Sequence, residues 1–212
     1  MDLFLIRHGQ SEADLLYVHE GRADFLLTDE GQRQAKAMAQ WMAKQFSLDR
    51  IYTSTLKRAV QTAGYLGEAC GLVPILDADL MERNNGLLAS MEYDKAKEKY
   101  PQAGSIPIYR ASYNMEPMLD FRFRAERVLL KVLEESNGLA AIAVVAHGGI
   151  INQFFHCLLS LPFESCIAFP TADTAFITGV WLSIARCLYL AIRQNIWQSK
   201  FINIEMNRQI LI

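Results

Sequence analysis

Leu3-Phe4-Leu5-Ile6 is an unbroken apolar run that leads straight into Arg7-His8-Gly9. An apolar segment this short, with no polar alternation, reads as a strand covered on both faces, the kind that builds parallel sheets. Ala141-Ile142-Ala143-Val144-Val145 is a second such run, and it leads into Ala146-His147-Gly148-Gly149. Open α/β sheets hold their ligands just beyond the carboxyl ends of these strands. Each run therefore delivers a histidine to that edge, followed by a glycine at which the backbone can turn and approach a ligand. Parallel neighbours would bring both imidazoles to one pocket, and a helix starting after Gly149 would aim free N–H groups at an anion there.

The rest of the chain alternates strand and helix, which predicts a three-layer α/β/α fold with a mainly parallel central sheet. Residues 12–27 read as a loop or short helix crossing the active edge. Thr28-Asp29-Glu30 supplies an N-cap and an acidic first turn, and Ala35, Met38, Ala39 and Met42 follow at helical spacing to about Gln45. Ile51-Tyr52 reads as a short strand. Thr53-Ser54 reads as the cap of the next helix, whose apolar stripe is Leu56, Ala59, Val60, Ala63 and Leu66 and whose stop is Gly71. A third strand is expected at 74–76, helices at 93–99, 119–135 and 150–159, and a hairpin from strands at 175–184 and 188–193. The hairpin carries Trp181, Leu188 and Tyr189, apolar enough for sheet core or for a dimer edge. No internal repeat or low-complexity linker interrupts the 212 residues, which predicts one domain over 1–212, with a lid or insertion around 87–118.

A net charge of −2 offers no global attraction to nucleic acid or to an anionic membrane, so an anion site has to be local. Cys70, Cys157, Cys166 and Cys187 are scattered without C-x-x-C or metal-ligand spacing, which predicts reduced core thiols in a cytoplasmic protein. The first apolar run lacks a preceding basic segment and is too short for a signal peptide, and no apolar stretch is long enough to span a membrane.

Arg58 falls one turn into the helix after Thr53-Ser54, at the same edge as the two histidines. Arg7, His8, Arg58 and His147 would make a cationic box suited to one phosphate: a histidine can accept a phosphoryl group, and an arginine can hold its oxygens in a fork of donors. Taken singly, these residues have ordinary readings. Arg58 would be a solvated helix arginine, and Glu82 beside Arg83 an exposed ion pair. His19 reads as a solvated loop residue near the entrance, and His156, amid Phe154, Phe155 and Leu158, as a core histidine. Arg122, Arg124 and Arg127 read as the solvated face of a helix.

The ordered set resembles branch 1 of the histidine phosphatase superfamily, the phosphoglycerate mutase-like proteins. The matching residues are Arg7-His8-Gly9; Gly21 with Asp24 and Leu27-Thr28; Thr53-Ser54 with Arg58-Ala59 and Gln61-Thr62-Ala63; the 80–86 stretch around Glu82; and His147-Gly148-Gly149, with a weak continuation at Asp173-Thr174. The resemblance implies a metal-independent phosphatase that hydrolyses small phosphomonoesters through a phosphohistidine, with no cofactor. It implies His8 as nucleophile and Glu82 as general acid and then base. Arg7, Arg58 and His147 would steady the phosphoryl oxygens. Arg7, Gln10, Asp14, Gly21, Arg58 and Gly148 would bind substrate. The expected partner is a small phosphorylated metabolite, with no nucleic acid or membrane, bound to a monomer or homodimer.

The chain departs from the family pattern in three places. Asp14 stands where the family commonly has an asparagine whose amide reaches the phosphate; an aspartate cannot donate when ionised, so either it points away or it costs phosphate affinity. Ala13 stands where the mutases have a tryptophan. The insertion before the second histidine is short, and it holds Ile106, Ile108, Tyr109, Tyr113, Met115 and Met118 in place of a basic rim, which suits an apolar or aromatic ester. Phosphatase is therefore the expected activity. The alternatives are a cofactor-dependent phosphoglycerate mutase and a catalytically weak member that binds a phospho-ligand. A metal hydrolase built on His8 and His147 lacks helical ligand spacing.

Overall fold

The computed structural model describes residues 1–101, 106–163, 165–169, 171, 177–182, 188–193 and 203–204. Strands β1 (Asp2–Arg7), β2 (Arg50–Ser54), β3 (Ile75–Asp77), β4 (Ala141–Ala146), β5 (Ile177–Leu182), β6 (Leu188–Arg193) and β7 (Asn203–Ile204) form one sheet in the order β3-β2-β4-β1-β5-β6-β7. The first four in that order are parallel, and β5, β6 and β7 add on antiparallel. All six residues of β4 are buried, as its unbroken apolar run requires.

The helices are α1 (Glu12–Leu16), α2 (Asp29–Gln45), α3 (Lys57–Cys70), α4 (Tyr93–Lys99), α5 (Met118–Glu135) and α6 (Gly148–Leu158). Successive side chains of a strand point to opposite faces, so β1 and β4 feed two cores. Phe4, Ile6, Ala143 and Val145 pack against Met38, Ala39 and Met42 of α2 and Ala59, Ala63 and Leu66 of α3. Leu3, Leu5, Ile142 and Val144 pack against Phe121, Val128 and Val132 of α5 and Ile151, Phe154 and Phe155 of α6. Those two cores make the three layers.

The winding of the connections reverses between the parallel neighbours β1 and β4: α2 leaves β1 towards one face, and α6 leaves β4 towards the other. Such a switch point opens a crevice at the carboxyl edge of a sheet. The register pairs Arg7 with Ala146 and Thr53 with Val145, so the residues that follow, His8, His147 and Ser54, emerge side by side.

Thr28 caps α2, its Oγ1 accepting from Gly31 N at 2.9 Å. Thr53-Ser54 does not cap α3: both residues belong to β2, and the cap position falls to Leu56, without a side-chain bond to the helix. Ladder pairing with β3 out-competes local capping there. The expected segments at 93–99 and 119–135 are α4 and, one residue longer, α5. Residues 102–105 of the predicted lid, Asp173-Thr174, Cys187 and the ends of the predicted hairpin strands (175, 176, 183 and 184) lie outside the described residues, as do the side chains of Trp181, Leu188 and Tyr189. Among the described residues, no helix is long and apolar enough to cross a membrane.

Candidate active site

At the switch point the side chain of His8 is almost wholly buried, 1% exposed. Its Nδ1 lies 2.7 Å from the carbonyl of Gly9. A carbonyl can only accept, so Nδ1 carries the ring hydrogen and Nε2 keeps its lone pair. Nε2 accepts from Arg58 Nε at 3.2 Å. Burial first, then the guanidiniums of Arg58 and Arg7, hold the pKa of His8 well below its ordinary 6.5, so the ring is neutral at physiological pH.

Arg58 is the largest fully buried side chain in the molecule's described core. Its Nη1 donates to Ala23 O at 2.8 Å and its Nη2 to Gly21 O at 2.9 Å. The loop after α1 therefore wraps its carbonyls around the guanidinium. Gly21 takes the left-handed conformation (φ +52°), and a Cβ there would meet Asn85 at 2.8 Å, so glycine alone suits this turn. Arg7 donates through Nη1 to Thr171 O at 3.0 Å.

His147 is equally buried, its ring centroid 5.1 Å from that of His8. Its Nε2 lies 2.8 Å from Ser54 Oγ, while its Nδ1 has no hydrogen-bond partner among the described residues. A buried polar atom left so marks a position that a ligand atom can satisfy. Burial, followed by Arg58, His8 and Arg7, also keeps His147 well below 6.5.

Glu82 reaches the same edge from the segment after β3. Its Oε2 accepts from Gly149 N at 2.7 Å, in the first turn of α6, and its Oε1 from Arg83 N at 2.8 Å. The segment is held from below by Arg124. This arginine donates to Asp79 O at 2.6 Å, Met81 O at 2.8 Å and Glu82 O at 3.2 Å, and forks onto Glu116 at 2.8 and 2.9 Å. Burial pushes the Glu116 carboxyl up, but bonds from Arg124 and Asn84 N, with the charges of Arg124 and Arg22, outweigh it and hold the group below its ordinary 4.5. Arg124 is thus no solvated helix residue, as its spacing suggested; Arg127 is, exposed and paired with Asp79.

Of the predicted substrate-binding residues, Arg7, Arg58 and Gly148 stand at the box, and Gly21 lends it a carbonyl. Gln10 turns elsewhere, its Oε1 accepting from Thr28 Oγ1 at 2.8 Å. Asp14 closes a capping box on α1: its Oδ2 accepts from Ser11 N at 2.7 Å, and its Oδ1 is 3.8 Å from Arg7 Nη2. The His19 ring lies tilted against Tyr93, centroids 4.2 Å apart, and His156, buried, pairs with Ile167 O at 2.7 Å. Sequence reasoning missed Glu20. Its Oε2 is 3.5 Å from Arg58 Nε and 3.7 Å from His8 Nε2, inside the box. Its one sequence signal was its place immediately before Gly21. Ser54, Thr171 and Glu116 were also missed as supports.

A chain with this geometry has relatives of two kinds. It is 33% identical over 148 residues, 70% of this chain and 72% of the other, to an uncharacterized phosphatase, PhoE, from Bacillus subtilis. It is 31% identical over 183 residues, 82% and 87% of the two chains, to a 2,3-bisphosphoglycerate-dependent phosphoglycerate mutase from Parvibaculum lavamentivorans. Two further mutases are matched over 57% of their own length. Among solved structures, a mycobacterial glucosyl-3-phosphoglycerate phosphatase complexed with VO3 superposes with a TM-score of 0.76 at 27% identity, over 85% of this chain and 90% of that one. The family model for the histidine phosphatase superfamily (branch 1) matches residues 3–185, and the chain belongs to that superfamily.

Proposed function

We propose that the chain is a metal-independent phosphomonoesterase that works through a phosphohistidine at His8. The observation that carries this reading is the state of His8: buried and neutral, its Nδ1 hydrogen engaged by Gly9 and its Nε2 lone pair beside Arg58. An imidazole so held needs no deprotonation before attack. Nε2 bonds to phosphorus as the bond to the leaving oxygen breaks. Arg7, Arg58 and His147 bracket the phosphoryl oxygens, since this transfer asks mainly for positioning and charge balance. Two guanidiniums bring the positive charge that a metal would otherwise supply.

As general acid, Glu82 gives a proton to the departing alkoxide. As a carboxylate it then takes a proton from water, whose oxygen attacks the phosphohistidine and releases inorganic phosphate. One water is consumed, and His8 and Glu82 return to their starting states. The substrate is a small phosphorylated metabolite, and the 87–118 segment serves as the lid over its alcohol. Half-exposed Ile106, Ile108 and Tyr109 in that segment support an apolar or aromatic alcohol. The free thiols of Cys70, Cys157 and Cys166 support a cytoplasmic setting.

Hydrolysis of an aryl phosphate in the presence of chelator tests the reading. Turnover survives in the wild type and falls at least roughly 10³-fold in His8→Ala. Loss of wild-type turnover on chelation contradicts metal independence. The mutase relatives support a second reading, phosphoglycerate mutase, which a bisphosphate-primed interconversion of phosphoglycerates would reveal.

A further inference from the structure

The phosphate box contains a carboxyl group that the mechanism above does not use. Glu20 Oε2 stands 3.7 Å from His8 Nε2 and 3.5 Å from Arg58 Nε, where phosphoryl oxygens have to sit if His8 is to reach phosphorus. Around it lie Arg58 from α3, Arg7 and His8 from the end of β1, and Ser11 and Asp14 from the start of α1. With both histidines neutral, the box holds two guanidiniums against the carboxyl groups of Glu20 and Asp14, with that of Glu82 at the same edge. A dianionic phosphate brought beside an ionised Glu20 therefore meets like charge and little net attraction.

The hydrogen count around Ser11 points the same way. Ser11 Oγ contacts Glu20 Oε1 closely and lies 3.1 Å from Asp14 Oδ2, and a hydroxyl has one hydrogen to give. With Glu20 and Asp14 both ionised, one hydroxyl hydrogen has to serve two carboxylate contacts, which disfavours the doubly charged pair. Burial pushes the Glu20 carboxyl up and Asp14 adds to this, although Arg58, Ser11 and Arg7 pull against it.

We propose that Glu20 is a specificity-determining residue of the phosphate box: its carboxyl and the phosphoryl group share a single proton, so the site takes a phosphomonoester in its monoanionic form. This rests on the phosphatase reading of the box and assigns the ionic form of the substrate. A phosphomonoester loses its second proton near pH 6, so where both it and Glu20 are ionised binding takes one proton from solution. Affinity then falls about tenfold per pH unit. A glutamine at position 20 offers an amide N–H without a charge and accepts the dianion.

The test is calorimetric titration with inorganic phosphate, using the full chain, at pH 7.5 to 9 and in buffers of different ionisation enthalpy. The wild type approaches uptake of one proton per phosphate bound towards pH 9, where inorganic phosphate is dianionic, and its affinity falls steeply with pH. Glu20→Gln and Glu20→Ala bind with little proton uptake and a nearly flat profile, and their kcat/KM for an aryl phosphate extends to higher pH. Circular dichroism confirms that either variant is folded, and the wild-type proton count stands without them. Phosphate binding by the wild type without proton uptake, or identical profiles in the wild type and a folded variant, overturns the assignment and leaves the phosphatase reading intact. Failure of phosphate to bind at any pH from 5 to 9 overturns both.

Discussion

Glu82 reaches the N-terminus of α6 only because residue 149 has no side chain. A Cβ on Gly149 would collide with the Glu82 carboxylate, meeting Oε1 at closest approach and Cδ at 3.0 Å. Glycine at this position is thus a condition for placing the Glu82 carboxyl on the first turn of α6. Gly149→Ala pushes the carboxylate off the backbone N–H that now holds it at 2.7 Å. The expected outcome is a fall in kcat of about 10²-fold, the scale of a misplaced general acid, with the thermal transition nearly unchanged. Steady-state kinetics with a poor leaving group, where protonation matters most, checks this. An unchanged kcat there removes Glu82 from the acid role.

The element that carries Glu82 is a short irregular segment, and α5 holds it through one buried arginine. Arg124 binds three of its carbonyls and both oxygens of Glu116, which also receives Asn84 N at 3.0 Å. Removing one partner of a buried pair leaves the other uncompensated, so Arg124→Ala should cost roughly 3–5 kcal/mol. Glu116→Ala should cost a similar amount, and the double variant distinctly less than the sum, a coupling that denaturant melts of all four proteins measure. None of this was legible in the sequence. Whether a helix arginine is solvated depends on what other segments bring to it, and Glu82, Glu116 and Arg124 come from three different ones. The central strands and long helices were legible for the opposite reason. β4 is apolar at every position because it is covered on both faces, and α2 repeats its buried residues at the helical period. Thr53-Ser54 misled because its capping chemistry is local while its strand pairing to β3 is not. Glu20 was hidden because a polar loop residue carries no period at all.

For the molecule as a whole, two buried neutral histidines make the fold sensitive to acid. The unfolded chain takes up a proton at each near pH 6.5, whereas the folded protein does so only well below that. Below 6.5 the unfolded state therefore binds more protons, and stability falls as pH falls, by up to roughly 1 kcal/mol per pH unit for each histidine. Glu116, held below 4.5, adds a second loss as pH drops through its folded value. Thermal melts from pH 7.5 down to about 2 should show both windows, and His147→Asn should make the upper one shallower. A flat profile between pH 6.5 and 5 contradicts the buried neutral state on which the proposed chemistry depends. The proposed covalent intermediate would register on the intact protein. On the proposed mechanism Glu82→Gln should slow hydrolysis of the phosphohistidine, whereas an aryl phosphate, with its good leaving group, should need little help in forming it. Intact mass of Glu82→Gln, quenched at alkaline pH during turnover of an aryl phosphate, should show one added phosphoryl group that maps to His8 and disappears in the His8→Ala background. No adduct under those conditions, or an adduct that persists without His8, contradicts the phosphohistidine.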